Sequence, residues 1–129
     1  MAFGTFDVIH EGHIFFLTQS KKYGDYLIIV IARDKTVYSV KGSYPVDGEK
    51  IRKKNLQKLK IADKVLLGNI RDKHRIIRRY QPHIICLGYD QTQFTLDLEK
   101  KFPNIIIHKM PPYYPEKYKS SIIKKYDRY

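Results

Sequence analysis

Residues 4–13 read GTFDVIHEGH. They follow a short apolar run, Met1, Ala2 and Phe3, and lead into an apolar series at Ile14, Phe15 and Leu17. A strand, a glycine-bearing turn and a helix start, in that order, make an anion site. Backbone N–H groups point outward there and the helix dipole favours negative charge. His10 and His13 stand three residues apart around Gly12 at that spot, which points to phosphate chemistry. Two plainer readings stand beside it. The pair can ligate a metal, but structural zinc takes four ligands and the lone Cys86 is far off in sequence. Alternatively, each histidine is an ordinary polar residue at a helix start; the turn glycines, Asp7 and the fixed spacing argue against that.

Working outward, the chain alternates strands with helices. The first strand is read over residues 1–6 and the first helix over residues 12–23, stopped by Gly24. Residues 26–32, YLIIVIA, form an unbroken apolar run, as expected of a parallel strand covered on both faces. Residues 33–46 read as a loop. Asp47 is placed to cap a helix over residues 48–60, with Ile51, Leu56 and Leu59 inward. Residues 62–67 form a third strand, ended by Gly68. Asp72 is placed to cap a helix to Tyr80, with Ile76, Ile77 and Tyr80 inward. Residues 83–87 form a fourth strand, 91–102 a helix with Phe94, Leu98 and Phe102 inward, and 104–108 a fifth strand. A Pro- and Tyr-rich loop then leads to a last helix starting at Ser120 or Ser121. The pattern implies one α/β domain over residues 1–129 with a Rossmann-like, doubly wound, five-stranded parallel sheet. The expected strand order is 3-2-1-4-5, with helices on both faces. The brevity of the first strand leaves open whether Met1 is the original start.

In such a sheet, ligands bind beyond the carboxyl ends of the strands where strand order reverses, here between strands one and four. Those ends are Gly4-Thr5-Phe6-Asp7 and Gly88-Tyr89-Asp90-Gln91, so the two most distinctive turns should face each other. No G-x-G-x-x-G follows strand one and no G-x-x-x-x-G-K-[ST] occurs, which argues against a dinucleotide dehydrogenase and a P-loop kinase. Phosphates would rest instead on the helix starting near Gly12 and on the histidines.

Composition agrees with a globular protein that handles anions. The chain is 43% hydrophobic and 29% charged, which excludes disorder, and its net charge of +12 attracts nucleotides, phosphorylated metabolites, RNA or acidic membranes without choosing among them. Much of that charge lies in helical segments, where a solvated outer face is the plain reading. No apolar run approaches the ~20 residues of a membrane span. No signal peptide precedes the first strand, and one cysteine fits a reducing compartment, so a cytoplasmic location is expected. Cys86, within an apolar run, reads as a buried thiol. His74, His83 and His108 are assigned no role. A basic RNA- or membrane-surface module on the same scaffold is the competing class, although no RNP-like aromatic motif appears. Homodimerisation through Tyr- and Ile-rich outer surfaces is compatible with the sequence.

GTFDVIHEGH resembles the GxFDxxHxGH signature of the HxGH nucleotidyltransferase superfamily, the cytidylyltransferase-like fold, and the match extends over nearly the whole chain. Ala32-Arg33-Asp34 with Thr36-Val37, then Lys41, resembles the family's loop after strand two. Arg52 sits where the family often places an arginine early in the next helix. Tyr118-Lys119-Ser120-Ser121-Ile122-Ile123-Lys124 is similar to the late S/T-rich signature, without its fuller RTxGIS run. Gly88-Tyr89-Asp90-Gln91 looks most like the archaeal-type FAD synthase; glycerol-3-phosphate cytidylyltransferase and the heptose-phosphate adenylyltransferase are the other near groups.

The resemblance implies attack by a substrate phosphate oxygen on the α-phosphate of a nucleoside triphosphate, with release of pyrophosphate. ATP is favoured over CTP and FMN among acceptors, with Mg²⁺ accompanying the nucleotide and no protein-built metal site. It implies that His10 and His13 donate hydrogen bonds to phosphate oxygens, with Lys41 and Ser121 as further catalytic groups. The nucleotide would lie on Gly4, Thr5, Phe6, Gly12, His13, Gly88, Tyr89, Asp90, Ser120 and Ser121. The acceptor would meet Asp7, Lys41 and Arg52, Asp7 either orienting it or holding a turn. From the residues alone, Lys41 and Arg52 read equally well as solvated cations, and Ser120 and Ser121 as helix caps.

Overall fold

The structure is a computed structural model that describes residues 1–89 and 91–113. What was expected of Asp90, Ser120, Ser121 and Lys124 lies outside the described residues. The elements run β1 (Ala2–Gly4), α1 (Glu11–Lys21), β2 (Ile28–Ile31), α2 (Asp34–Lys41), α3 (Glu49–Leu59), β3 (Lys64–Leu67), α4 (Arg75–Tyr80), β4 (Ile84–Leu87), α5 (Thr92–Lys101) and β5 (Ile106–Lys109). The strands pair in parallel as one sheet in the order β3-β2-β1-β4-β5, as expected.

The unbroken apolar runs follow from burial on both faces. Along β2, Ile29 and Ile31 join Ala2 and Cys86 in a core beneath Leu17 of α1 and Leu56 of α3. Val30, one residue out of phase, joins Phe3, Ile85 and Leu87 on the opposite face, against Ile76 and Ile77 of α4 and Leu98 of α5. Strand side chains alternate between faces, so a strand covered twice has no position to spare for a polar residue. Cys86 is buried, as expected, and burial raises its thiol pKa.

Four local readings are corrected. The stretch expected as a loop after β2 contains α2. This helix buries only Val37, so it carries almost no apolar signature. Its first N–H is capped from another element: Asp34 N donates to Glu49 Oε1 at 2.8 Å. Asp47 does not cap α3 with its side chain; Gly48 is the N-cap, without a side-chain bond. Ile51, expected inward, is 54% exposed, and the neighbouring Arg52 is fully buried instead. The loop ends beyond β1 and β2 present oxygens at that place, which a guanidinium satisfies and an isoleucine would leave unpaired. The first strand is also shorter than expected. Phe6 and Val8 adopt positive φ (53° and 46°), a region that L side chains avoid, and this turns the chain out of the sheet.

Candidate active site

β1 pairs with both β2 and β4, so the reversal in strand order falls between β1 and β4. Ala2 is in register with Cys86. Gly4 and Gly88, each two residues further on, therefore leave the sheet side by side, and the two signature turns face one another.

The first turn is built on a tight stack. The Phe6 ring folds back beneath the end of β1, where a Cβ on Gly4 would lie 2.8 Å from its Cε2 and Cζ. Phe6 is buried, and its ring meets His13 edge-on with centroids 5.5 Å apart. Its ring forms the floor under His13. Gly4→Ala should therefore cost about 1–3 kcal/mol, the range for overpacking a filled site. It should also tilt His13, so that turnover falls even where the protein remains folded. A melting curve and a turnover assay on the same sample check both.

His10 is the N-cap of α1. Its Nδ1 accepts the N–H of Gly12 at 3.0 Å, and the Nδ1 of His13 accepts the N–H of His10 at 3.3 Å. This is a capping box with imidazoles where Ser and Glu usually stand. The rings stack with centroids 3.9 Å apart and planes 19° from parallel. With both Nδ1 atoms accepting, a neutral ring must carry its proton on Nε2. Each imidazole therefore presents an N–H donor directed away from its own backbone. The N–H of Gly12 is taken by His10, and that of His13 by the carbonyl of His10 at 3.0 Å. The backbone N–H groups of Gly12 and His13 are thus already paired at this helix start.

The pKa of His13 is lowered from 6.5 to about 4, first by burial, then by the neighbouring His10 and by Lys41, while Asp7 opposes the shift. Two imidazolium rings stacked this closely would repel, so the ring stays neutral near pH 7. The unfolded chain binds a proton at this residue below pH 6.5, whereas the folded chain resists until about pH 4. Stability contributed here is therefore complete above 6.5 and declines as pH falls through that interval. Melting temperatures measured across it should show His13→Gln with a shallower acid decline than the parent.

Asp7 holds a turn: its two carboxylate oxygens accept the N–H groups of Val46 and Asp47 at 2.8 and 2.9 Å. That bond ties the connection between α2 and α3 to the histidine loop. Lys41, the exposed last residue of α2, lies close enough for its charge to act on His13. Arg52 is not exposed to any acceptor. Its Nη1 donates to the Thr5 carbonyl at 2.8 Å, Nη2 to Asp34 Oδ1 at 2.8 Å and Nε to the Asp47 carbonyl at 3.0 Å. It bolts three loop ends together. Thr5 is likewise engaged through its carbonyl. Asp34 and Glu49 are the residues that sequence reasoning missed, because their roles depend on partners about 15–18 positions away. Glu49 also accepts from Arg33 Nη1 at 3.0 Å.

Across the crevice, the N–H of Gly88 donates to Gln91 Oε1 at 3.0 Å, closing the turn after β4, and Tyr89 is exposed.

The chain is similar to known proteins. The cytidylyltransferase-like family model matches residues 1–126. The FAD synthase of Thermoplasma acidophilum is 43% identical over 81% of this chain and 73% of its own length. That of Picrophilus torridus is 42% identical over 78% and 72%. The crystal structure of the lipopolysaccharide core biosynthesis protein from Thermoplasma volcanium superposes with a TM-score of 0.82 at 37% identity, covering 88% of this chain and 95% of that one. Pantoate-beta-alanine ligase from Francisella tularensis, at 18% identity and a TM-score of 0.56, shares the fold. With the sheet order, the imidazole pair and these likenesses in agreement, the chain belongs to the cytidylyltransferase-like family and is a nucleotidyltransferase.

Proposed function

We propose that the chain transfers AMP from ATP to FMN, forming FAD and releasing pyrophosphate, as one domain acting in the cytoplasm. The observation that carries the reading is the stacked imidazole pair at the start of α1, each ring accepting a backbone N–H at its Nδ1. Relatives named FAD synthase, 40–43% identical to this chain, support the choice of ATP and FMN.

The FMN phosphate oxygen attacks the α-phosphorus of ATP, a new P–O bond forms, and the bond to the β-phosphate bridge breaks in line with it. Both reactants are polyanions, so positioning and electrostatics dominate. His10 and His13 donate to phosphate oxygens as charge shifts onto the leaving pyrophosphate. Lys41 offsets the acceptor's charge. Gly88 and Tyr89 border the nucleoside, and Ser120 and Ser121 serve the triphosphate. Among the described residues, no group of three or more His, Cys, Asp or Glu side chains is arranged to hold a metal ion. Mg²⁺ would enter with the nucleotide substrate, whose charge it neutralises. Among the same residues, no helix is long and apolar enough to cross a membrane.

The test is product analysis with Mg·ATP and FMN, run in parallel with CTP and glycerol 3-phosphate. FAD and pyrophosphate in equal amounts are expected. Pyrophosphate only with CTP and glycerol 3-phosphate would reassign the substrates. Salt-sensitive RNA binding with no pyrophosphate from any pair would replace the enzyme by a binding module.

A further inference from the structure

The segment joining α2 to α3 carries a feature that phosphate chemistry alone does not require. Tyr38 of α2 and Tyr44 stack with ring centroids 4.7 Å apart and planes 24° from parallel. They remain 48% and 63% exposed. A paired aromatic surface left in water offers a flat face of large contact area.

Its position ties it to the reacting groups. Gly42 ends α2 in the left-handed conformation (φ 80°), its N–H donating to the Tyr38 carbonyl at 2.8 Å, and the reversed chain brings Tyr44 against Tyr38. Lys41 lies three residues beyond Tyr38 on the same helix, and so on the same side of it. Two residues past Tyr44, the Val46 N–H is fastened to Asp7, three residues before His10. Tyr44 also borders a hollow of about 520 Å³ whose walls include the exposed apolar side chains of Ile51 and Ile70, the cations Lys35 and Lys50, and the carboxylates Asp34 and Glu49, which are paired with Arg52 and Arg33. Aromatic faces, a cation at helical spacing and room beside them are what a flat heterocycle with a phosphate tail needs.

We propose that the Tyr38–Tyr44 pair is the stacking platform for the planar ring of the phosphorylated acceptor, with Lys41 taking that acceptor's phosphate. The proposal rests on the FMN reading above and deepens it. It makes the α2–α3 connection the element that selects an aromatic acceptor over a small aliphatic phosphate such as glycerol 3-phosphate.

The experiment compares the parent with Tyr38→Ala, Tyr44→Ala and the two Phe variants. FMN binding is followed by flavin fluorescence, and KM for FMN and for ATP is determined separately. Either Ala variant should weaken FMN binding and raise its KM roughly tenfold, the scale of one lost ring stack. KM for ATP should stay within about twofold, and each Phe variant, which keeps the ring, should behave as the parent. Equal FMN binding in parent and Ala variants overturns the platform while leaving FAD synthesis intact. So does a parallel rise in both KM values, which marks a general loss of structure. A parent that neither binds FMN nor forms FAD overturns the acceptor assignment itself, and the platform with it.

Discussion

Replacing His10 or His13 by alanine is expected to reduce pyrophosphate release about 10²–10³-fold each, the loss typical of one donor aimed at developing charge. The difficulty is that both rings also hold the helix start, so alanine removes a cap as well, at about 1 kcal/mol. Two further substitutions separate the roles. Asparagine is a good N-cap, so His10→Asn should recover the melting temperature while turnover stays low. Glutamine is the ordinary capping-box partner at the position of His13, so His13→Gln should do the same there. If turnover returned along with stability, the histidines would be structural caps and the phosphate role would fall. A double variant should lose less than the product of the two single effects, because the rings stack and share one capping arrangement.

The second large effect concerns stability. Arg52→Ala should cost about 3 kcal/mol and lower the melting temperature by about 10 °C. The reason is that Arg52 is fully buried and donates to two carbonyls and to Asp34. Its removal leaves the Thr5 and Asp47 carbonyls without this donor and the Asp34 carboxylate without its cation, together with a cavity. Asp34 is partly open to water, which places the cost toward the lower end for a broken buried pair. Arg52→Lys retains the charge but cannot reproduce the fork of donors, so it should recover only part of the loss. An acceptor-binding arginine would behave differently: its lysine variant would raise the acceptor KM at an unchanged melting temperature. Thermal melts together with acceptor KM values distinguish the two.

Much of the site is local. His10, Gly12 and His13 are positioned by hydrogen bonds spanning two or three residues, and short-range geometry of that kind can be read from spacing. The parallel, doubly wound sheet is equally legible, since burial on both faces writes unbroken apolar runs, and the order 3-2-1-4-5 is the one such folds commonly take. What escaped depends on distance along the chain. α2 reads as a loop from its sequence because it buries one residue and takes its cap from Glu49. Arg52 reads from its neighbours as a solvated cation and takes an acceptor contact only from the family resemblance; nothing near it in sequence announces the oxygens of Thr5, Asp34 and Asp47.

The sequence by itself determined that this is a parallel α/β protein whose first turn sets two imidazoles at a helix start, because both are matters of periodicity and short spacing. Only the tertiary structure decided which cations are free to meet a phosphate and which are spent holding loops together. It also decided that Phe6 supports His13 from below and that Asp7 anchors the segment bearing Tyr44. Those outcomes turn on which polar atoms converge from separate strand ends, and a buried oxygen claims the nearest donor wherever in the chain it originates.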